Sequence, residues 1–446
     1  MKIKNITCIG AGYVGGPTMA VIALKCPKIK IHVVDSDPIK IELWNDSIEN
    51  IPVFEPGLGE IIKKTRNKNL FFSTNIKQCI ESADMIFMAV NTPTKTEGEG
   101  AGMAADLRHV ESCAFDIAKY SNSDKIIVEK STLPVRTAEK IKDILKKNSK
   151  GVNFEVISNP EFLAEGTAIN DLFKSDRVLI GGDDTPSGKE AVKSLVDIYN
   201  RWIPAEKILT TNVWSSELSK LASNAFLAQR ISSINSLSAL CEKTGADIDE
   251  LSNAIGMDHR IGPHFLKVSV GFGGSCFKKD ILNLVYLCKT YGLNEVADYW
   301  EGIIKINDYQ KNRFVNKILS VFDNNIKGKS ILILGWSFKA NTNDSRESAS
   351  ISVTEKIYNS GGLIEIYDPM VDEKRIYEDI DSVWNLKTTK PKIKILKSIP
   401  SKLKNYDIAV ILTEWEEFKQ IDYGLTKVFD GRNILKNKKI INYYEI

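Results

Sequence analysis

The chain opens with short apolar runs that alternate with longer stretches in which apolar positions recur every three or four residues. That alternation predicts buried strands with amphipathic helices between them. Strands are predicted over Lys4–Ile9, Ile31–Val34, Met85–Val90, Lys125–Glu129 and Phe154–Ile157, and helices over Thr18–Lys25, Leu107–Tyr120 and Thr137–Lys146. From about Val213 the strands stop. One long helical run continues to about Lys243, with Leu218, Leu221, Ala225 and Ala228 on one stripe, and helices are predicted again over Ala246–Ile255 and from Ile281 to about Val321. A second alternation begins with strand Gly328–Leu334, helix Ile351–Ser360, and strands Leu363–Tyr367 and Tyr406–Leu412. The expected fold is α/β: two Rossmann-like doubly wound parallel-sheet domains joined by a central all-helical domain with one long helix. The expected boundaries are 1–212, 213–325 and 326–446.

At 446 residues the chain is too long for one core, which fits two or three domains. A net charge of +3, spread along the chain, gives no reason to expect a nucleic-acid or membrane partner. The seven cysteines are scattered without paired or metal-like spacing, so reduced thiols in a reducing compartment are expected. The four histidines (His32, His109, His259 and His264) form no ligand cluster, and no metal is expected. The chain enters a strand almost at once, and no leader or spanning segment is expected. A soluble, cytosolic protein is the expectation.

The chemistry sits at the strand ends. The first strand runs into Gly10-Ala11-Gly12-Tyr13-Val14-Gly15 and then a helix, and the next strand ends at Asp35. In this setting the glycines provide a tight turn and close approach to a pyrophosphate, and the acid bonds the adenosine ribose. A carboxylate there repels a 2′-phosphate, which favours NAD over NADP. Later strands end in Val90-Asn91-Thr92-Pro93-Thr94, in Lys130-Ser131-Thr132-Leu133 and in Glu161-Phe162-Leu163-Ala164-Glu165. Strand carboxyl ends line the ligand crevice of such a sheet.

On the long helix Lys220 and Asn224 are four apart and share a face. The turn Gly271-Phe272-Gly273-Gly274-Ser275-Cys276 leads through Phe277, Lys278, Lys279 and Asp280 into a helix. A cysteine before a helix N-terminus with lysines nearby is expected to ionise easily. Asp280, in the first turn, can handle a proton or a water. The second α/β unit lacks the glycine fingerprint, so it is expected to bind a different ligand. Lys339, Arg346 and Arg432 follow its strands and suit phosphate oxygens. The basic stretch Lys387–Lys404 is expected to be a solvated insertion.

A dinucleotide site predicts hydride transfer. Oxidation of an alcohol to an aldehyde needs no cysteine. A thiolate near the nicotinamide implies oxidation past the aldehyde, by thiohemiacetal and then thioester, with two NAD used per substrate. Lys220 and Asn224 can stabilise the oxyanions, and Asp280 or Glu161 can serve as base for water.

These motifs together resemble the UDP-glucose/GDP-mannose dehydrogenase family over nearly the whole chain. The segments that carry the likeness are residues 10–15, 90–94, 130–135, 159–166, 216–226, 271–280 and 338–348. Ala101–Leu107 and Phe226–Asn235 look most like the eukaryotic-type branch that acts on UDP-glucose. The resemblance implies oxidation of UDP-glucose to UDP-glucuronate, with Cys276 as nucleophile and Lys220, Asn224, Asp280, Glu161 and Thr132 in catalytic roles. Implied cofactor contacts are the 10–15 fingerprint, Asp35, Lys40, the 90–94 segment, Ser131, Thr132, Leu133, Glu165, Cys276, Phe277, Lys278, Lys279 and Arg346. Implied substrate contacts are the 161–165 segment, Lys220, Asn224, Arg260, Phe265, Lys267, Gly271, Phe272, Gly273, Cys276, Phe277, Phe338, Lys339 and Arg432. In the family the Arg260 position reaches a neighbouring subunit's substrate, which implies at least a dimer, and the eukaryotic-type branch implies a hexamer. Lys40 departs from a common arginine and gives up the guanidinium fork. A relative acting on UDP-N-acetyl-mannosamine or GDP-mannose, a two-electron hydroxyacid dehydrogenase, and a catalytically silent NAD/UDP-sugar binding protein are the competing readings.

Overall fold

Apolar runs bounded by glycine turns form two sheets, one in each half of the chain. The structure is a computed structural model that describes residues 2–149, 151–384, 391–400, 403–436 and 438–446. Met1–Ser223 and Asn224–Ile446 form two compact units.

In the first unit, strands β1 (Asn5–Ile9), β2 (Lys30–Val34), β3 (Leu70–Ser73), β4 (Met85–Met88), β5 (Lys125–Glu129), β6 (Phe154–Ser158), β7 (Val178–Gly182) and β8 (Ile208–Asn212) make one sheet. Their order is β3-β2-β1-β4-β5-β6-β7-β8. The chain order reverses between β1 and β4, which marks the switch point where ligands bind in such sheets. All of β4, β5 and β7, and β1 from Ile6 to Ile9, are buried, in keeping with strands covered on both faces. Helix Gly15–Lys25 starts three residues before the expected Thr18. Pro17 is tolerated there because first-turn amides need no helical partner.

The sheet is not wholly parallel. β7 runs antiparallel to β6, pairing Gly181 with Ser158, and β8 runs parallel to β7. The connection explains it. Between β6 and β7 the only helix is Ala168–Phe173, of 6 residues, which rises roughly 9 Å. Carrying the chain back along a strand of five residues needs roughly 16 Å. β7 therefore starts at the end where β6 stops.

The second unit takes most of the long helix Val213–Thr244, then helices Ile248–Gly256, Phe277–Thr290 and Asn294–Ser320. Its sheet contains β9 (Ser330–Leu334), β10 (Leu363–Tyr367), β11 (Ile393–Ile395), β12 (Ile408–Ile411), β13 (Lys427–Asp430) and β14 (Tyr443–Glu445), in the order β11-β10-β9-β12-β13-β14, all parallel. Phe314, Val315 and Ile318 from helix Asn294–Ser320 share one core with Ile331 and Ile333 of β9. The basic stretch expected to be a solvated insertion is not simply that. Residues 385–390 and 401–402 lie outside the described residues, and the described part contributes edge strand β11. There Ile393 and Ile395 alternate with the exposed Lys394, the period of a strand half-covered on one face.

Candidate active site

β1 ends at Ile9, and Gly10 turns the chain with φ +111°. A Cβ at Gly10 would fall 2.2 Å from the Ala89 carbonyl oxygen, so no other residue fits. At Gly12 a Cβ would meet no atom within 4 Å, which leaves open space before the helix N-terminus. That is the cradle a pyrophosphate needs. The fully buried Trp44 indole donates to the Ala11 carbonyl at 2.9 Å and holds the loop.

Asp35 Oδ2 accepts from the Ala11 amide at 2.9 Å and from Lys40 Nζ at 3.0 Å, and Oδ1 accepts from the Asp37 amide at 3.1 Å. Burial opposes its ionisation, but the two amides and the Lys40 ammonium outweigh that and hold the carboxyl below its usual range. A carboxylate fixed in this way is ready to accept ribose hydroxyls. The loops that follow β4 and β5 are tied together: Ser131 Oγ donates to the Val90 carbonyl at 2.6 Å and Thr92 Oγ1 to the Thr132 carbonyl at 3.1 Å. Leu133 is buried beneath them, while Asn91 and Pro93 are exposed.

Beyond these loops lies a polar cluster. Lys220 Nζ stands 3.3 Å from Glu161 Oε1, and Thr132 Oγ1 donates to the same oxygen at 3.3 Å. The Lys220 and Glu161 side chains are only 4% and 8% exposed. Glu161 Oε2 is buried and accepts no hydrogen bond among the described residues, so it is open to a hydroxyl or a water. The Phe162 ring is covered by the Arg177 guanidinium at 3.8 Å. The 161–165 segment is anchored by two acids that sequence reading did not single out. Glu55 accepts from the Gly166 and Ala168 amides at 2.8 and 3.1 Å, and Asp171 accepts from the Ala164 amide at 3.0 Å. Glu217, one turn before Lys220, accepts from the Arg136 and Ala138 amides at 2.7 and 2.8 Å and so ties that turn of the long helix to the start of helix Thr137–Asn148.

In the second unit Cys276 stands directly before helix Phe277–Thr290. Among the described residues it is half-exposed, whereas the other six cysteines are buried. Asp280, one turn into the helix, is fully buried and accepts from Asn224 Nδ2 at 2.6 Å and from Lys279 Nζ at 2.8 Å. The turn before Cys276 is held on both sides by Asn307, which accepts from the Phe272 amide at 2.8 Å and donates to the Phe272 carbonyl at 3.0 Å. A Cβ at Gly273 would fall 2.5 Å from the Glu347 carbonyl oxygen, and the Gly274 amide donates to the Arg346 carbonyl at 2.9 Å. The cysteine turn is thus pressed against the 346–348 segment. Lys278 pairs with Glu347 at 2.9 Å and Arg346 with Asp344 at 2.7 Å. Arg432 donates to the carbonyls of Leu412, Phe338 and Gly271 at 2.8, 3.0 and 3.5 Å, joining three segments. Phe338 and Lys339 are half-buried. Arg260 is exposed and paired with Asp258 at 2.6 Å. Lys267 is exposed, as is Phe265, which sits in the left-handed region at φ 62°.

The second sheet repeats the first up to a point. Gly335 follows β9 with φ +99°, as Gly10 follows β1, and Asp368 follows β10, as Asp35 follows β2. Here the acid is already committed. Its Oδ2 accepts from the Trp336 and Ser337 amides at 2.7 and 3.0 Å, Ser337 Oγ at 3.2 Å and the Trp415 indole at 3.2 Å. Its Oδ1 accepts from the Met370 and Val371 amides at 2.8 and 2.9 Å. The fully buried Trp336 stands where the first unit has Ala11. No lone pair remains for a ribose.

Family profiles cover most of the chain. The NAD binding domain of the UDP-glucose/GDP-mannose dehydrogenase family matches residues 4–203, its central domain 214–309 and its UDP binding domain 332–437. The chain belongs to this family. It is 54% identical to UDP-glucose 6-dehydrogenase 3 of Oryza sativa subsp. japonica and to UDP-glucose 6-dehydrogenase 4 of Arabidopsis thaliana, over 98% of this chain and 94% of each relative. A UDP-glucose dehydrogenase from Pyrobaculum islandicum matches with a TM-score of 0.86 at 29% identity, covering 99% of this chain and 97% of that one. The dehydrogenase family's cofactor is NAD, and the open cradle at Gly12 and the ionised Asp35 fit it. Replacing Asp35 with Asn is expected to raise KM for NAD roughly ten-fold or more, the worth of a charge-assisted hydrogen bond. Initial rates against NAD concentration read this directly, with kcat little changed.

Proposed function

We infer that the protein oxidises UDP-glucose to UDP-glucuronate, with two NAD reduced per sugar, through a thiohemiacetal and a thioester on Cys276. The observation that carries this reading is the setting of Cys276. It is the half-exposed cysteine at a helix N-terminus, one turn before the buried Asp280 that Asn224 and Lys279 hold. The substrate comes from the 54% identity to plant UDP-glucose 6-dehydrogenases.

NAD, when bound, supplies the hydride acceptor. The protein's own groups do the rest. A base takes the proton of the C6 hydroxyl as the C6 hydride leaves, giving an aldehyde. Glu161, whose Oε2 is open, suits this with Thr132 beside it. The Cys276 thiolate then adds to the carbonyl carbon, and the oxygen becomes an oxyanion that takes a proton. The Lys220 ammonium opposes that charge in a nearly dry setting, where it acts most strongly. Loss of the second hydride, with the hydroxyl proton returned to the base, gives the thioester. Water, with its proton taken by Asp280 or Glu161, attacks the thioester; the C–S bond breaks and the thiolate is restored. The segments around Arg432 and Lys339 supply the uridine diphosphate contacts in this reading, and the three-part division at 212 and 325 separates cofactor, linking and nucleotide-sugar functions.

Two further parts of the reading concern setting. Self-association, at least as a dimer, is supported by exposed apolar residues on the long helices, among them Phe226, Leu240 and Tyr299. A cytosolic location is supported by the six buried cysteines, which form no disulfide among the described residues.

The test is stoichiometry. With limiting UDP-glucose and excess NAD, two NADH and one UDP-glucuronate are expected per sugar. One NADH with aldehyde as product would point to a two-electron dehydrogenase. No NADH with UDP-glucose, but turnover with UDP-N-acetyl-mannosamine or GDP-mannose, would move the substrate.

A further inference from the structure

Asp430 ends β13 and is fully buried, and no cation forms an ion pair with it among the described residues. A buried carboxylate is costly unless hydrogen bonds replace the lost water. Two donors come from its own turn. Oδ1 accepts from the Arg432 amide at 3.0 Å and Oδ2 from the Leu435 amide at 2.9 Å. A further donor comes from another strand: the Tyr443 hydroxyl, on β14, reaches Oδ2 at 3.1 Å. Burial, and then the Asp430 charge, push the Tyr443 phenol above its usual range, so it keeps its proton and remains a donor. β14 lies beside β13 with Glu445 opposite Asp430, and the amide of Ile446 donates to Asn433 Oδ1 at 3.3 Å. The 430–435 turn, which carries Asn433 in the left-handed region at φ 50°, is thus held from β14.

This hold matters because of what the turn carries. Arg432 is 9% exposed, and three of the five N–H donors of its guanidinium are spent on the Leu412, Phe338 and Gly271 carbonyls. Glu414 Oε2 stands 3.4 Å from its Nε. Two N–H donors remain for a ligand. Gly431 is bonded on both sides: its amide donates to the Ile411 carbonyl at 2.9 Å, and its carbonyl accepts from the Val270 amide at 2.7 Å. A Cβ there would stand 3.0 Å from the Ile411 carbonyl oxygen, so the packing is close. Any displacement of this turn moves the Arg432 donors relative to Phe338 and Gly271.

We propose that Asp430 and Tyr443 are positioning residues for the nucleotide-sugar site: the Tyr443 hydroxyl fixes Asp430, and Asp430 fixes the turn that presents Arg432. Asp430 has no exposed surface, so it acts through the turn and not by contact with substrate. The inference rests on the reading that Arg432 meets the uridine diphosphate. The direction of the effect follows from preorganisation. A turn already in its binding shape loses no freedom when the ligand arrives, whereas a loosened one does. The cost falls on nucleotide binding. It does not fall on kcat, because Asn307 holds the cysteine turn independently, nor on NAD, whose cradle belongs to the first unit.

The experiment measures kcat, KM for UDP-glucose and KM for NAD for the wild-type enzyme, Tyr443→Phe, Asp430→Asn and the double variant, with UDP affinity by calorimetry and thermal melts beside them. Tyr443→Phe is expected to raise KM for UDP-glucose and Kd for UDP about three- to ten-fold, within the worth of one hydrogen bond, with kcat and KM for NAD unchanged. Asp430→Asn is expected to act in the same direction, and the double variant to be no worse than Asp430→Asn alone, because both residues lie on one path. Tyr443→Phe removes a single oxygen and decides the matter if Asp430→Asn does not fold. Unchanged UDP affinity in Tyr443→Phe, or additive effects in the double variant, would overturn the proposal. So would an equal rise in both KM values, or a Tyr443→Phe chain that does not fold, since the hydroxyl would then serve the fold at large. Arg432→Met in the same series tests the underlying reading. If that variant binds UDP as well as the wild type, the reading of Arg432 fails. If it loses UDP while Tyr443→Phe binds UDP as the wild type does, the inference alone fails.

Discussion

Replacing Cys276 with serine is expected to abolish formation of UDP-glucuronate, with a loss on the order of 10³-fold or more, as for removal of other enzymic nucleophiles. The reason lies in the atoms around the sulfur. Cys276 is half-exposed, directly before a 14-residue helix, with Ser275 Oγ 3.6 Å from Sγ and Asp280 one turn on. Sulfur is an intrinsically strong nucleophile, whereas a serine hydroxyl needs an adjacent base to act as one. The variant is expected to bind UDP-glucose normally, because the turn is shaped by Asn307 and Gly273 rather than by the sulfur. Any activity that survives is expected to stop at the aldehyde, seen as one NADH or less per sugar. Full acid production by Cys276→Ser would mean that no covalent intermediate forms there.

The second large effect is expected at Lys220. Lys220→Met keeps the length and apolar stem of the side chain and removes only the charge. A loss in kcat of roughly 10²–10³-fold is expected, the usual result when one preorganised group facing a developing oxyanion is removed. The expected split is a large fall in kcat with little change in KM, since the charge opposed develops only as the reaction proceeds. Fold stability is expected to fall as well, because Glu161 would lose its buried ammonium partner at 3.3 Å while remaining buried itself. Thermal melts beside the kinetics separate the two effects. An unchanged kcat would remove Lys220 from the reaction.

Much of this site was legible in the sequence because its parts are local. The fingerprint Gly10–Gly15 followed by Asp35 needs only one strand–turn–helix–strand unit, and the structure places Asp35 on the Ala11 amide. Likewise Asp280 falls one turn after Cys276 by helix geometry alone, and its amide donates to the Cys276 carbonyl at 2.8 Å. Residues that act across long sequence separations were not legible. Asn307 holds a turn 35 residues before it, and Glu55 holds the 166–168 amides from more than a hundred residues away. Nothing in the local pattern of either segment announces a distant partner. The reversal of β7 escaped for a related reason. An apolar run predicts burial but not direction, and direction was set by the short helix of the connection. β8 escaped because its Ile-Leu-Thr-Thr-Asn sequence is largely exposed and lacks the apolar run of a buried strand.

The commitment of Asp368 in the second sheet governs the timing of the reaction. Six donors fill that carboxylate, so Asp368 offers no acceptor to a ribose, and among the described residues the open glycine cradle with an acid not so filled is that of the first unit. Four electrons must nevertheless leave the sugar, two at a time. The first NADH has to depart and a fresh NAD arrive in the same seat while the half-oxidised sugar waits. A free aldehyde would be exposed to escape during that exchange. A carbon held on sulfur cannot diffuse away, so in the proposed scheme the covalent bond to Cys276 would serve as a tether through the interval as well as a route to the thioester. The lifetime of that tethered state must exceed the time of one cofactor exchange, and the rate of NADH release becomes a natural ceiling on turnover.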